Sequence, residues 1–257
     1  MGRRFDTPAQ DRPAMDWLKR SHRPPVLRLG ERDLPLTISR HPRARRMTMR
    51  LAPDGSAIRI TLPTWGRTAE ALAFARSRAR WLESQLAALP VSRPPAPGGT
   101  VVFRGRPLEI DWAPVHSRQP VIEEDILRIG GPAESLAPRL RRWLEAEALR
   151  LMEEDLAYYC ARAGQPLPRL GLSRAQRRWG SCSSARSGLS TIRVNWRLIQ
   201  APDAVRRSVV AHEVAHLVHF DHSPSFHALL REVFEDDVSA ADRWLKQEGR
   251  SLYSAFG

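Results

Sequence analysis

The sequence predicts an α+β fold, and three observations carry the prediction. Short stretches of alternating apolar and polar residues, the period of a half-buried strand, occur in both halves of the 257-residue chain. Stretches with apolar residues three and four apart, the period of a helix, fall between them. The order strand, helix, strand, helix favours antiparallel pairing over a doubly wound parallel sheet.

Taken in order, residues 1–24 are polar, proline-containing and aperiodic, the composition of a disordered leader. Met47, Met49 and Leu51 then alternate with polar neighbours, as do Ile58, Ile60 and Leu62, with the turn residues Pro53-Asp54-Gly55 between them. A β-hairpin is expected there. Thr68 stands where a helix N-cap would, ahead of Leu72, Ala75, Ala79, Leu82, Leu86 and Leu89 on one stripe, which predicts one helix. The run "LPVSRPPAPGG" ends it and predicts a linker at residues 90–99. An N-terminal β-hairpin/helix subdomain at 25–89 is thereby set apart from a larger domain at 100–257. In that domain "TVVFRGRPLEIDW" and "PVIEEDILRIGG" read as short strands. A long helix follows, started or interrupted at Pro138, and the alternation of Ile192, Val194, Trp196 and Leu198 reads as further strand.

Composition narrows the function classes. Two cysteines, Cys160 and Cys182, are too few for a disulfide scaffold and are not spaced as paired metal ligands. The N-terminus has arginines but no apolar signal region, and no apolar run is long enough to span a bilayer, so a cytoplasmic protein without a membrane partner is expected. The 41 Lys and Arg against 28 Asp and Glu give a net charge of +13, an attractive field for phosphates and acidic surfaces.

The chemistry concentrates in "VVAHEVAHLVHFDHSPSF". His212-Glu213-Val214-Ala215-His216 matches H-E-x-x-H, in which two histidines one helical turn apart aim at one metal ion and the glutamate serves as general base. With Val205 and Val209 these residues share one helical face, where two imidazoles and a carboxylate are costly to bury unless something pairs with them. Three further groups compete for the third ligand position. On a continuing helix His219 lies about 10 Å along the axis from His212, too far for Zn–N bonds of about 2.0–2.1 Å. His222 sits at a corner, because Ser223 as N-cap and Pro224 at the first helical position would open a second helix. Glu232 or Glu235 on that second helix is the rival. His219 and His227 are left to stand behind the ligands, to face substrate, or simply to be solvated.

Together "RRWGSCSS", "VNWRLIQAP" and "VVAHEVAHLVHFDHSPSF" resemble the YgjP-like metal-dependent hydrolases, a group related to SprT-type and other zincin-like metallopeptidases. The resemblance is strongest from Arg177 to Leu230. It implies a zincin-like fold, Zn²⁺ bound by His212, His216 and His222, and Glu213 as base. Arg178, Trp179, Asn195 and His219 are then the expected substrate contacts, an arginine here being suited to a developing negative charge. The loop "SARSGLSTIR" is longer than expected for the group, and His227 stands where an aromatic residue is common; both bear on substrate preference.

The expected activity is that of a metallopeptidase acting on a peptide or protein, with an edge strand from the Ile192–Leu198 region aligning an extended substrate. Two alternatives use the same residues. A nucleoside triphosphate pyrophosphatase would suit the arginine surplus, although no Walker-type glycine loop is present. A nucleic-acid-associated zinc protein would use Arg40, Arg43, Arg45, Arg46 and Arg50, but such runs are usually solvated faces and no aromatic platform is interleaved with this one.

Overall fold

The computed structural model describes residues 25–89, 91–184 and 188–256. The leader at 1–24, Pro90 at the head of the expected linker, and residues 185–187 of the long loop lie outside the described residues. The protein is mixed α+β, with three sheets and six α-helices among those residues. The chain divides into two compact units, one comprising the residues up to Arg50 with Ala57–Ser77, the other Leu51–Ser56 with Arg78 onward.

Ahead of α1 (Thr68–Ser77), β1 (Val26–Leu29), β2 (Arg32–Arg40), β3 (Thr48–Leu51) and β4 (Ile58–Leu62) form a sheet in the order β1-β2-β4-β3. The alternation expected of β3 and β4 is present: Ile58, Ile60 and Leu62 are buried and the residues between them are not. Gly55 closes the intervening turn with φ +72°, and Asp54 Oδ1 accepts from the backbone N–H of Ser56. β1 and β2 were not expected. Pro35 interrupts the pattern of β2, yet it sits opposite Val26 in an antiparallel pair, and Leu36 N–H donates to Pro25 O at 2.7 Å.

The single helix expected from Thr68 is two. α1 stops at Ser77, whose hydroxyl donates to Phe74 O, and Arg78 leaves helical geometry before α2 (Ala79–Ala87) begins in the second unit. The division of the chain therefore falls here, ahead of the proline-rich stretch at 90–99. Residues 91–99 are tied into the second unit, with Arg93 N–H donating to Ser254 O and Gly98 N–H to Ile110 O.

The second unit holds the other two sheets. β5 (Thr100–Phe103), β6 (Arg106–Trp112), β7 (Val121–Glu123) and β8 (Ile126–Ile129) are two hairpins joined by parallel pairing of β6 with β8. α3 (Leu136–Arg162) buries Leu136, Leu140, Leu144, Ala148, Leu151, Met152, Leu156 and Tyr159, the stripe of a helix crossing a core. The third sheet, in the order β10-β11-β9, contains β9 (Arg169–Ser173), β10 (Gly180–Ser183) and β11 (Thr191–Asn195). This corrects the expected edge strand: β11 is the central strand, and β10 is at the edge. Strand geometry also stops at Asn195, because Trp196–Gln200 form a fully buried 3₁₀ turn capped by the Asn195 side chain. α4 (Asp203–Ala215), α5 (Pro224–Val233) and α6 (Val238–Glu248) complete the unit. No described helix is long and apolar enough to cross a membrane.

Candidate active site

α4 carries the site, and its position is over-determined. Val205, Val209, Val210, Ala211, Val214 and Ala215 are buried with the α3 stripe in one core. Beside that core runs an ion-pair chain, of which the Arg206–Asp155 pair is buried. Arg206 Nε donates to Asp155 Oδ2 of α3 at 2.8 Å and its Nη1 to Asp203 at 2.5 Å, while Arg207 reaches Glu235 at 2.5 Å. Arg104, in the β5–β6 turn, also pairs with Asp203. Breaking such a buried pair by deleting one partner is far costlier than the pair is stabilising, so the chain fixes geometry more than it adds stability.

His212 projects from α4, and His216 caps its C-terminus. The chain then tightens, with Leu217 N–H donating to Val214 O and Val218 N–H to Ala215 O, and the His219 carbonyl comes back to accept from His216 Nδ1 at 2.8 Å. That bond places the proton on Nδ1 and leaves the Nε2 lone pair free. His222 follows at the corner. Ser223 accepts from the backbone N–H of Phe226 and Pro224 occupies the first turn of α5, the start expected from sequence. One nitrogen from each of His212, His216 and His222 lies within 4.8 Å of the other two, and the Nε2 atoms of His212 and His222 are 3.3 Å apart. The fully buried Phe226 ring lies against all three imidazoles, with centroids 4.5–4.9 Å away. Burial and the neighbouring histidines lower His212 to about 4, so it is neutral, as a metal ligand must be.

Glu213 is 5% exposed. Burial raises its carboxyl to about 7, against the opposing charge of Arg178, and Oε2 has no hydrogen-bond partner among the described residues. Gly180, at the start of β10, touches it: a Cβ there would fall 2.6 Å from Glu213 Cγ and 2.7 Å from Cδ. The edge strand and the helix meet at this point.

A cleft of about 240 Å³ opens beside His212 and Glu213, walled by Arg178, Trp179 and Gly180 on one side and by Val238, Asp242 and Leu245 of α6 on another. Arg178 and Trp179 thus line the cleft. Asn195 does not. It is fully buried, its amide donates to Ala175 O at 2.8 Å and its oxygen accepts from Arg197 N–H. His219 acts through its carbonyl on His216. Glu235 is bound by Tyr159 and Arg207, away from the histidine cluster, and the Glu232 carbonyl accepts from Arg162. Cys182 lies near Glu213, and burial raises its thiol to about 11, so it remains protonated. The α6 wall and the Gly180 contact were missed from sequence. The apolar spacing Val238, Ala241, Leu245 was the available signal for the former; none existed for the latter.

Comparison with known families matches residues 45–248 to the family described as "YgjP-like, metallopeptidase domain". No curated protein and no solved structure matches the chain.

Proposed function

The chain belongs to the YgjP-like metallopeptidase family, and from that premise we propose that it is a zinc-dependent peptidase with His212, His216 and His222 as ligands and Glu213 as general base. The observation that carries the reading is the convergence of three imidazole nitrogens beside a buried carboxylate at the mouth of a cleft. The donor set fits the metal. Two nitrogens bound at 2.0–2.1 Å to one tetrahedral centre lie roughly 3.3 Å apart, as the Nε2 atoms of His212 and His222 do.

Zinc held by His212, His216 and His222 would supply Lewis-acid polarisation of the carbonyl under attack. The residues do the rest. Glu213, raised toward neutrality by burial, takes a proton from the attacking water and delivers it to the leaving amine. Arg178 faces the same cleft and offsets charge developing on the carbonyl oxygen. The free edge of β10 offers backbone groups to an extended peptide, in place of the edge first expected from β11.

Glu213→Gln tests the assignment. Metal content by elemental analysis and thermal stability should stay near wild type, while peptide turnover falls by about 10²–10⁴. Loss of metal in this variant would make Glu213 structural, and unchanged turnover would place the base elsewhere. His222→Ala should lose metal while Glu232→Ala and Glu235→Ala retain it; the reverse would overturn the ligand set.

A further inference from the structure

Beyond Trp179 the catalytic cleft does not end. A second cavity of about 260 Å³ shares Arg178, Trp179 and Leu245 with it as a common wall, and is lined further by Arg177, Lys246, Gly249, Arg250 and Tyr253. Four of these side chains are cationic, and no acidic side chain lines the cavity. None of the four makes an ion pair with a described residue, although elsewhere in the second unit arginines repeatedly find carboxylates, as Arg104, Arg128, Arg150, Arg174 and Arg206 do. Like charges converging on one recess repel each other, so the arrangement is stabilised by an anion that enters it.

Backbone geometry connects this recess to the reaction. Arg177, Arg178 and Trp179 lead directly into β10, which pairs with β11 and has no second strand partner among the described residues. A peptide laid along that edge rises about 3.3 Å per residue, so its side chains reach the recess within a few residues of Glu213. The walls also carry apolar faces, from Trp179, Leu245 and Tyr253. That combination suits a side chain with an aliphatic stem and a charged end.

We propose that this recess is an anion subsite that selects peptides bearing an acidic side chain, aspartate or glutamate, a few residues from the bond to be cut. The proposal rests on the peptidase reading for its substrate, but the recess and its charge stand independently of catalysis. The expected recognition is electrostatic: it favours capture of acidic segments and weakens with salt.

The test separates binding from cleavage. Glu213→Gln protein, loaded with zinc, is titrated calorimetrically with blocked peptides that differ only in one Glu, Gln or Lys, and with a nucleoside triphosphate, at low and high ionic strength. The Glu peptide should bind about tenfold tighter than the Gln peptide at low salt, and the gap should narrow as salt rises. Adding Arg177→Glu, Lys246→Glu and Arg250→Glu together should abolish or invert the preference. The single change Lys246→Glu, on an exposed helical position, should reduce it with the melting temperature held, which guards against a misfolded triple variant. Equal binding of Glu and Gln peptides, or a preference that survives charge reversal, overturns the proposal. So does binding of the triphosphate alone, lost on reversal. Wild-type cleavage of peptides without acidic preference defeats the subsite and leaves the peptidase reading standing; acidic-peptide binding that is lost on reversal, with no cleavage by wild type, supports the subsite and defeats the peptidase reading.

Discussion

Gly180 joins the edge strand to Glu213, and its missing side chain is what lets the two approach. Gly180→Ala would place a methyl group where the Glu213 side chain now lies, so the carboxylate must rotate out of its position against β10. We expect peptide turnover to fall by about 10²-fold, the scale for misplacing a reacting group by an ångström, with metal content by elemental analysis unchanged. Activity retained with Glu213 displaced would dissociate the carboxylate from the chemistry. At this scale the sequence was legible where the candidate site depends on spacing along one helix. His212, Glu213 and His216 are set by 3.6 residues per turn, and His222 by the Ser223-Pro224 helix start. It was not legible where contact crosses the chain. Asn195 reads as a polar residue in a functional motif, and only the fold reveals that its amide and carbonyl are bonded to Ala175 and Arg197.

α4 is the element on which the site depends, and its first turn holds a titratable anchor. Burial pushes the Asp203 carboxyl up, but hydrogen bonds from Arg104 and Arg206 and their charges outweigh it, and the group is held below its ordinary value. The folded value lies below the unfolded one, so the stabilisation is complete above about pH 4 and is lost as pH falls through the folded value. Wild type should therefore melt about 2–4 °C above Asp203→Asn near neutrality, and the two should converge in acid when melting is followed by circular dichroism from pH 7 to pH 2. A difference that grew in acid would reverse the assignment. The helix cap at α5 gives a second check: Ser223→Ala removes the acceptor for Phe226 N–H and should cost about 1 kcal/mol in urea denaturation. Elements with a strong period were readable, among them α3, α4, α5 and the β3–β4 pair. β2 was hidden by Pro35, and the Trp196–Gln200 turn mimicked a strand because alternating apolar residues there are buried on every side.

Across the whole molecule the division at Ser77–Arg78 predicts two folding units rather than one core. Ile60, fully buried in the first unit, should when changed to Ala cost about 2–5 kcal/mol there. Calorimetry should show one transition lowered while the other, and the metal content, stay in place; a uniform drop would mean that the units melt together. The sequence located a boundary near this point through its prolines, but their backbone is tied into the second unit by Ser254 and Ile110, and chemistry that breaks helices does not by itself make a hinge. The placement of the three histidines has a further consequence. All lie between His212 and His222 in one short, continuous segment, whereas the cleft walls come from Arg178–Gly180 and from α6. Capturing an ion there, as proposed, would require little loop closure, and the unfolded chain would keep part of the affinity. Metal held as proposed would then protect the native state by less than its binding strength suggests, and it could be seated before the substrate cleft exists.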